Sequence, residues 1–453
     1  MTKVSFCGIS GSGMSSLAQI LKLKGFDVRG SDRSFDQGKD QKSRRALEAI
    51  GIKIYPQDGS AITDDLDELY VSTAVEDSIP DIKAAKEKNI PITKRFDLLA
   101  ELFHQYPHNI AIGGTSGKTT TTAMTGYILD RLGRKPTVIN GGTLINYQDR
   151  PGIPNYIYND GDICVIEADE SNGSIDRYHP YVGVITNISL DHKTIDELKQ
   201  LFADFASRCK HGIVVNADCA DCKGITHPQR TVTFSLLSEQ ADFYASDISP
   251  LPDGTAYTLN GRRFTLPLIG RFNVANALAA IAACSLLGVD PFAAAEALES
   301  FRGTNRRLEV IGSRNNMTVI DDFAHNPDKV NASMSALKSY KGRLIILFQP
   351  HGFNPMRLMG KQIIDSFTRH MDDDDLLILP EIFFAGGTVT RDISSQDLIN
   401  QAKESGKKAY FFATREQTLP FILQQAQAGD RIVVMGARDN SLPDFCRTIL
   451  KGL

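Results

Sequence analysis

The feature that most constrains the fold is a glycine-rich turn between an apolar strand and a helix-like run. An apolar strand is predicted at 109–112 and a helix at 120–132, and the turn between them is Gly114-Thr115-Ser116-Gly117-Lys118-Thr119. Backbone N–H groups in such a turn bind phosphate oxygens, the lysine bridges the outer phosphates, and the threonine hydroxyl holds Mg²⁺. The turn, together with Thr120, therefore predicts an ATP-binding loop.

The spacing of this loop is shorter than the full Walker A pattern. That pattern would place glycine at position 112, where the chain has Ile112. The alternative interpretation is a helix that merely begins with Gly-Lys-Thr.

Length and composition indicate an ordinary globular protein of several domains. The chain has 453 residues and a formal net charge of -4, with 42% hydrophobic residues. At about 150 residues a domain, this length predicts about three domains. A mildly acidic balance argues against a nucleic-acid or bilayer binder. No apolar run approaches the roughly 20 residues of a membrane span. We expect the chain to enter a strand directly, with no signal peptide ahead of it.

The cysteines favour a reducing compartment. There are seven, scattered along the chain, which is typical of reduced thiols in a cytoplasm. Cys219 and Cys222 have the spacing of half a zinc site, but no second pair stands at a suitable distance.

Three blocks can be separated along the chain. The first hundred residues alternate strands and helices, which predicts a parallel sheet with helices packed on it. A polar stretch at 103–108 is a plausible linker before the ATP loop. The second block contains the ATP loop and, at 231–268, an alternating pattern that suggests antiparallel ribbons. The third block alternates again. The predicted domains are residues 1–106, 107–305 and 306–453.

A second glycine turn follows the first predicted strand. Gly8, Ser10, Gly11, Gly13 and Met14 lie at this turn, and Asp32 ends the next strand. A pyrophosphate could rest on the turn, but its spacing is GxxGxG rather than the dinucleotide GxGxxG. The open alternatives are a nicotinamide cofactor with its ribose held by Asp32, and glycines needed only for close packing.

Acidic and imidazole side chains end two central strands. Glu167 follows the strand at 163–166, where a Mg²⁺ ligand is expected beside a phosphate loop. His192 ends the segment after the strand at 182–185, and is either a ligand of a second divalent ion or a surface histidine. Asn273 and Asn276 begin an alanine-rich helix and either contact adenine or cap the helix.

The third block carries polar residues at strand ends, where open α/β sheets bind ligands. Arg306 and Arg307 stand at the suspected domain boundary and could bridge to a γ-phosphate. Asp322 and His325 follow one strand, and His351 follows the next.

Together these motifs resemble the Mur ligases, the ATP-dependent amino-acid ligases of peptidoglycan synthesis. The matching segments are GTSGKTTTT at 114–122, EADES at 167–171, TNISLDH at 186–192, GRFNVANALAA at 270–280, NRRLE at 305–309 and DDFAHNP at 321–327. The resemblance implies an α/β fold of three domains: a Rossmann-like N-terminal domain, a central P-loop ATPase-type α/β domain, and a Rossmann-like C-terminal domain.

The resemblance also implies residue roles. Lys118 and Thr119 would bind ATP phosphates and Mg²⁺, with Glu167 and His192 as further metal ligands. Catalytic roles would fall to Lys118, Glu167, His192, Arg307 and Asp322. Asn273 and Asn276 would contact adenine, while Arg307 and Asp322 reach the nucleotide from the third domain. The implied UDP-sugar site comprises Gly8, Ser10, Gly11, Gly13, Met14, Asp32 and Ser72. The implied site of the amine acceptor comprises His325, His351 and Arg357.

The implied reaction joins the carboxylate of UDP-N-acetylmuramate to L-alanine through an acyl phosphate. A murein tripeptide is the alternative acceptor, and a nucleotide-binding regulator is an alternative from another class. Three departures from the alanine-adding pattern matter: Ser116 replaces a histidine, Gly352 and Pro355 replace arginines, and Asn326 replaces a histidine. The expected protein is a cytoplasmic monomer or homodimer that binds neither nucleic acid nor membrane.

Overall fold

The computed structural model describes residues 1–72, 75–170, 173–189, 193–251, 253–384, 390–437, 439 and 441–453. It is an α/β protein of three domains, each built on its own sheet. Among the described residues, no helix is both long enough and apolar enough to cross a membrane.

The N-terminal domain contains a five-stranded, fully parallel sheet in the order β3-β2-β1-β4-β5. This is the predicted Rossmann-like arrangement. Its strands are β1 (Lys3–Cys7), β2 (Asp27–Ser31), β3 (Lys53–Tyr55), β4 (Glu68–Val71) and β5 (Ile92–Lys94). Its helices are α1 (Ser12–Leu23), α2 (Arg33–Asp36), α3 (Gln41–Ala49), α4 (Pro80–Glu87) and α5 (Arg95–His104).

The central domain contains a ten-stranded sheet in the order β15-β14-β13-β12-β11-β10-β6-β9-β7-β8. Its strands are β6 (His108–Gly113), β7 (Thr137–Ile139), β8 (Tyr156–Ile157), β9 (Ile163–Glu167), β10 (Val182–Ile185), β11 (Gly212–Asn216), β12 (Thr231–Ser235), β13 (Phe243–Leu251), β14 (Gly254–Leu259) and β15 (Arg262–Leu266). Its helices are α6 (Lys118–Arg131), α7 (Ile195–Ser207), α8 (Arg271–Ser285) and α9 (Pro291–Leu298). Strand β6 lies between parallel neighbours and is almost fully buried, as its apolar run requires.

The C-terminal domain contains a six-stranded sheet in the order β16-β17-β21-β18-β19-β20. Only β16 pairs antiparallel with its neighbour; the pairs from β17 to β20 are parallel. The strands are β16 (Glu309–Arg314), β17 (Met317–Asp322), β18 (Leu344–Gln349), β19 (Leu376–Pro380), β20 (Lys408–Phe412) and β21 (Arg431–Gly436). The helices are α10 (Pro327–Leu337), α11 (Phe353–His370), α12 (Ser395–Glu404), α13 (Thr418–Gln425) and α14 (Leu442–Gly452).

Residue contacts divide the chain into two compact units. The first comprises Met1–Ile248, Tyr257–Pro267 and Asn273–Thr304, and so holds the N-terminal sheet and most of the central domain. The second comprises Ser249–Ala256, Leu268–Phe272 and Asn305–Leu453. One apolar cluster in the first unit includes Phe6 of β1 and Ile166 of β9, so the first two domains share a continuous core. The predicted boundaries after residues 106 and 305 stay predictions.

Two sequence-based expectations are wrong. The polar stretch at 103–108 is not a linker, because α5 extends to His104 and the Phe103 side chain is fully buried against Tyr178. The segment at 231–268 is not made only of antiparallel ribbons, since β12 pairs parallel with β11 and β13 pairs parallel with β12. Alternating burial occurs on both kinds of half-exposed strand, so the pattern alone cannot give the strand direction.

Candidate functional site

The predicted ATP loop is a tight turn between β6 and α6. Helix α6 begins at Lys118, with Gly117 at its N-cap in the left-handed region (φ +86°). Gly114 also has a positive φ (+129°), and a Cβ there would lie 2.0 Å from the hydroxyl oxygen of Thr186. A side chain at position 114 is therefore excluded both by the backbone conformation and by space.

The segment after β10 is bonded to this loop at several points. The backbone N–H of Thr115 donates to the carbonyl oxygen of Asn187 at 3.1 Å, and the backbone N–H of Ser116 donates to Oδ1 of Asn187 at 3.0 Å. The hydroxyl of Thr186 donates to the carbonyl oxygen of Ser116 at 2.6 Å. A hydroxyl pair joins Thr115 to Ser189 at 2.8 Å. The TNIS part of the motif at 186–192 thus holds the loop in shape.

Lys118 points back across its own loop. Its Nζ donates to the carbonyl oxygen of Gly114 at 2.6 Å and to Oε2 of Glu170 at 2.8 Å. The side chain of Glu170 is 5% exposed and that of Lys118 is 16% exposed, so the carboxylate is almost fully desolvated and the ammonium group largely so. A phosphate group that binds Lys118 must compete with a buried carboxylate.

Glu167 ends β9 beside the loop, as predicted for a metal ligand. The hydroxyl of Thr119 donates to Oε2 of Glu167 at 3.1 Å, and the backbone N–H of Gly141 donates to Oε1. A hydroxyl and a carboxylate in contact are the oxygen donors that Mg²⁺ prefers, so this pair fits the ion. The other predicted ligand, His192, lies outside the described residues. Over the described part of the chain, no group of three His, Cys, Asp or Glu side chains could hold a metal by itself.

The two predicted adenine-contacting asparagines lie beside the ATP loop. Asn276 accepts from the hydroxyl of Thr121 at 3.4 Å and donates to Oδ1 of Asn273 at 3.3 Å. A Cβ at Gly117 would approach Oδ1 of Asn276 to 2.5 Å. The alternative that they cap α8 is wrong, because that helix begins at Arg271 and both asparagines are buried inside it.

The N-terminal glycine turn is fastened by Asp32. Its Oδ2 accepts from the backbone N–H of Ser10 at 2.9 Å, and its Oδ1 accepts from the N–H of Ser34 at the same distance. Gly8 has φ +84°, and a Cβ there would lie 3.1 Å from the Cβ of Ser72. Asp32 therefore shapes the turn and caps α2 rather than projecting freely.

A cavity of about 310 Å³ joins this turn to the metal-ligand candidate. From the N-terminal domain it is lined by Gly11, Ser12, Gly13, Met14, Ser72, Arg95 and Leu99. From the central domain it is lined by Ile139, Asn140, Gly141, Glu167, Asp169, Ser174 and Tyr178. Of the residues predicted for the UDP-sugar, four line the cavity, while Gly8, Ser10 and Asp32 support the turn from behind.

The two sides of the cavity are held together by hydrogen bonds. Nδ2 of Asn155 in the central domain donates to the carbonyl oxygen of Ser12 at 2.8 Å and to the hydroxyl of Ser15 at 2.9 Å. The side chain of Gln19 donates to the Ile153 carbonyl and accepts from the Ile153 N–H. These buried bonds fix α1, and with it the glycine turn, against the central domain.

Two residues of this region were missed by sequence reasoning. Arg95 is the first residue of α5, and its Nη1 lies 2.9 Å from where a Cβ on Gly13 would stand, so the guanidinium covers the turn. Its position directly after β5, at the carboxyl end of a parallel strand, was an available signal. Glu170 belongs to the acidic run after β9, where the sequence predicts a Mg²⁺ ligand, but its contact with Lys118 depends on how the chain turns after β9.

In the second unit, Arg306 is bound within its own domain. Its guanidinium donates to Oδ1 of Asp321 at 3.3 Å and to the carbonyl oxygen of Gly436 at 2.6 Å. The expectation that Arg306 reaches a γ-phosphate is therefore wrong. Arg307 is half-buried, with its guanidinium 5.4 Å from the centre of the Phe323 ring. Burial raises the pKa of Asp321 to about 7, against the opposing effect of Arg306.

Asp322 is buried and already bonded on both oxygens. The hydroxyl of Ser333 donates to Oδ2 at 2.5 Å, and the backbone N–H of Leu308 donates to Oδ1 at 3.3 Å. Burial raises the pKa of its carboxyl. These contacts hold the turn at 306–308, where Arg306 and Leu308 both have positive φ.

The structure brings the two predicted acceptor histidines together. The ring centroids of His325 and His351 are 5.5 Å apart in an edge-to-face arrangement. Nδ1 of His325 lies 2.7 Å from the carbonyl oxygen of Phe323, which can only accept, so Nδ1 carries the proton and Nε2 is the basic nitrogen. Burial lowers the pKa of His325 to about 4, so the ring is neutral near pH 7.

Arg357 is on α11 and is engaged by neighbours in its own unit. Its guanidinium donates to Asp392, to Oδ1 of Asn354 at 2.8 Å and to the carbonyl oxygen of Thr390 at 3.1 Å. The side chain is 40% exposed. An acceptor carboxylate at Arg357 would therefore share the guanidinium with Asp392.

Family models match most of the chain. Residues 3–107 match the model of the Mur ligase family catalytic domain. Residues 112–284 match that of the Mur ligase middle domain, and residues 306–438 match that of the Mur ligase glutamate ligase domain.

The similarity to known proteins extends over nearly the whole length of the chain. A UDP-N-acetylmuramate–L-alanine ligase of Acetivibrio thermocellus is 35% identical, over 96% of this chain and 93% of that protein. One from Acaryochloris marina is 32% identical, over 98% and 94%. The crystal structure of the UDP-N-acetylmuramate-alanine ligase of Thermotoga maritima superposes with a TM-score of 0.80 at 26% identity, covering 100% of this chain and 99% of that one.

A murein peptide ligase of Psychrobacter arcticus has the same fold, with a TM-score of 0.67 at 23% identity over 100% of this chain and 98% of that one. The matched family replaces the nicotinamide interpretation of the N-terminal glycine turn. With family models covering all three domains and relatives above 30% identity along the whole chain, the protein belongs to the Mur ligase family.

Proposed function

We propose that this Mur ligase uses ATP to join L-alanine to the muramate carboxylate of UDP-N-acetylmuramate in peptidoglycan synthesis. The relatives support L-alanine over the murein tripeptide as acceptor. The chemistry is an amide-bond ligation in which the carboxylate first becomes an acyl phosphate with release of ADP. The amine then attacks the acyl carbon and phosphate leaves.

The observation that carries this proposal is the cavity that extends from the N-terminal glycine turn to Glu167, which contacts Thr119 of the ATP loop. One wall is the N-terminal turn, Gly11 and Gly13, and the opposite wall is the carboxylate of Glu167 beside the ATP loop. A nucleotide sugar on the first wall would direct its carboxylate toward the phosphates on the second. Such positioning supplies much of the rate enhancement of a two-substrate reaction.

ATP would bind the loop from 114 to 120. Backbone N–H groups of this turn and the first turn of α6 would hold the phosphates, and Lys118 would leave Glu170 to contact the γ-phosphate. Asn273 and Asn276 would lie on the adenine side, since Asn276 packs on Gly117. His192, Arg307 and Asp322 are assigned to the nucleotide by the family resemblance.

The residues Thr119 and Glu167 would hold Mg²⁺, with His192 proposed as the ligand of a second ion. When bound, these ions supply positive charge that offsets the negative charge of the phosphates. Glu167 itself is oriented by the N–H of Gly141 and the hydroxyl of Thr119, so its carboxylate is in place before any ion arrives. That preorganisation avoids part of the cost of ordering the ligand on binding.

UDP-N-acetylmuramate would contact the turn at Gly11, Gly13 and Met14, and Ser72 beside it. Gly8, Ser10 and Asp32 would keep the turn in shape. We add Arg95 to this site, because a guanidinium over a glycine turn is suited to bidentate contact with a pyrophosphate.

The acceptor would bind in the C-terminal domain at His325, His351 and Arg357. A neutral imidazole does not repel the ammonium group of L-alanine, and Nε2 of His325 can accept a hydrogen bond from it. Arg357 would share its charge between Asp392 and the amino-acid carboxylate. We place the enzyme in the cytoplasm because its seven cysteines are free thiols. We propose a monomer or a homodimer as its oligomeric state.

The acceptor is tested by competition. The enzyme is incubated with ATP, Mg²⁺, UDP-N-acetylmuramate and equal concentrations of L-alanine and L-alanyl-γ-D-glutamyl-diaminopimelate, and the products are identified by mass spectrometry. We expect the L-alanine product to predominate at least tenfold. Predominance of the tripeptide product would make the recycling reaction the function of the protein.

A further inference from the structure

A pair of cysteines lies beside the ATP loop and has no part in the proposed ligation. Cys219 is the N-cap of the short 3-10 turn Ala220–Cys222 that follows β11, and Cys222 is the last residue of that turn. The Cys222 N–H donates to the Cys219 carbonyl oxygen at 3.0 Å. One 3-10 turn advances about 6 Å over three residues, which is within the Cα separation of disulfides. The Cys219 sulfur lies 3.3 Å from the backbone nitrogen of Ile188 and 3.6 Å from its carbonyl oxygen.

We propose that Cys219 and Cys222 form a redox-active dithiol, a modification site that takes a small disulfide as its oxidant and whose oxidation weakens the binding of ATP. The redox step requires only the two thiols and the small disulfide. The effect on ATP rests on the proposed function, because it assumes that the loop at 114–120 binds the nucleotide.

The two thiols differ in exposure and in acidity, as an attacking thiol and a resolving thiol must. Cys219 is partly exposed, whereas Cys222 is 1% exposed. The hydrogen bond from Cys222 lowers the pKa of Cys219 to about 6, so Cys219 is mostly thiolate near pH 7. The same bond, together with burial, raises the pKa of Cys222. Cys219 is thus the attacking sulfur, and Cys222 is the resolving one.

The exchange transfers a disulfide bond from the small molecule to the protein. The Cys219 thiolate attacks one sulfur of the small disulfide, and the other sulfur leaves as a thiolate that takes up a proton. Once Cys219 is in a mixed disulfide, its negative charge no longer raises the pKa of Cys222. The Cys222 thiol then loses its proton, attacks the Cys219 sulfur, and expels the second small thiolate. Two protein thiols are oxidised, and one disulfide is reduced to two thiols.

A short chain of contacts links this pair to the ATP loop. The sulfur of Cys219 accepts from the backbone N–H of Ile188 at 3.3 Å. The neighbours of Ile188 are Asn187 and Ser189, which bond directly to Thr115 and Ser116 of the loop. A disulfide sulfur is uncharged, accepts weakly and has no proton to donate to the Ile188 carbonyl oxygen, so oxidation weakens both contacts between Cys219 and Ile188. The segment that shapes the loop is thereby loosened.

The test uses the purified full-length protein and oxidised glutathione as the probe. Peptide mapping with alkylation is expected to show a disulfide between Cys219 and Cys222, reversed by dithiothreitol. Calorimetry is expected to show ATP binding about threefold to tenfold weaker in the oxidised protein, the loss typical of one hydrogen bond. Cys222→Ser should stop at a stable mixed disulfide on Cys219, and Cys219→Ser should not react. Circular dichroism checks that both variants fold.

The other five cysteines are buried and serve as internal controls for nonspecific oxidation. Separate alkylation of Cys219 and Cys222 after treatment with the oxidant would overturn the dithiol. A complete disulfide with unchanged ATP affinity would overturn its coupling to the loop. Absence of ATP binding by the reduced protein would count against the proposed function alone, because the peptide map decides the dithiol independently.

Discussion

The Nζ of Lys118 lies 2.8 Å from Oε2 of Glu170, a carboxylate almost completely withdrawn from solvent. Lysine in a phosphate loop is expected to face the nucleotide, but here it closes an ion pair across its own turn. A buried pair of this kind is weak evidence for added stability, since desolvation offsets much of the attraction. Its consequence is instead that ATP must draw Lys118 away from Glu170.

We predict that Glu170→Gln tightens the binding of ATP. The variant frees Lys118 from its charged partner and removes a negative charge beside the phosphates. Calorimetry without Mg²⁺ should give a dissociation constant about threefold to tenfold lower than that of the wild type. This change corresponds to about 0.7–1.4 kcal/mol of binding free energy. Glu239→Gln, an exposed change remote in sequence, is the matched control and should leave binding unaltered. Equal or weaker binding by Glu170→Gln would show that the pair does not oppose ATP.

Lys118→Ala should abolish turnover and also destabilise the fold. Removing one partner leaves the buried Glu170 carboxylate uncompensated, which typically costs about 3–5 kcal/mol. Adding Glu170→Gln should restore most of the unfolding free energy in urea without restoring turnover. The binding of UDP-N-acetylmuramate, measured by calorimetry, should stay near that of the wild type in the double variant. Recovery of turnover in the double variant would remove Lys118 from the catalytic machinery.

Arg95→Ala should raise the Michaelis constant for UDP-N-acetylmuramate far more than the constant for ATP. Loss of a charge-assisted bond to a phosphate costs about 1.5–3 kcal/mol, or about tenfold to a hundredfold in affinity. Arg45→Ala, an exposed arginine of the same domain, supplies the control. Steady-state kinetics with each substrate varied in turn distinguishes the two constants. A larger change in the Michaelis constant for ATP would show that Arg95 contacts ATP and not UDP-N-acetylmuramate.

The Arg306–Asp321 pair should give stability a defined pH dependence. Because burial raises the folded-state pKa of Asp321 from 3.8 to about 7, the folded protein binds this proton more tightly than the unfolded chain. Its contribution is fully present below pH 4 and is lost as the pH rises through 7. Relative to Asp321→Asn, the wild type should lose about 2 kcal/mol of unfolding free energy between pH 5 and pH 7. A difference between the two proteins that does not vary with pH would contradict the raised pKa.

Much of the fold could be predicted because its signals are local. Alternating strands and helices indicated parallel sheets, and the strand ends at Gly113 and Glu167 located the loop and the carboxylate beside it. Strand direction at 231–268 depended on tertiary pairing, and the alternating pattern there did not reveal it. The bonding of Arg306 to Asp321 was likewise hidden, because it is set by side-chain direction inside the third domain. Arg95 was missed although its position after β5 pointed to a ligand.

In the proposed reaction, ATP cleavage is coupled to the joining of two further substrates. Phosphate release is measured with ATP and Mg²⁺ in the presence of UDP-N-acetylmuramate, L-alanine, both or neither. We predict release at a catalytic rate only when both are present, with one phosphate formed for each molecule of UDP-N-acetylmuramoyl-L-alanine. Release at the same rate with ATP alone would identify a plain ATPase and contradict the proposed ligation.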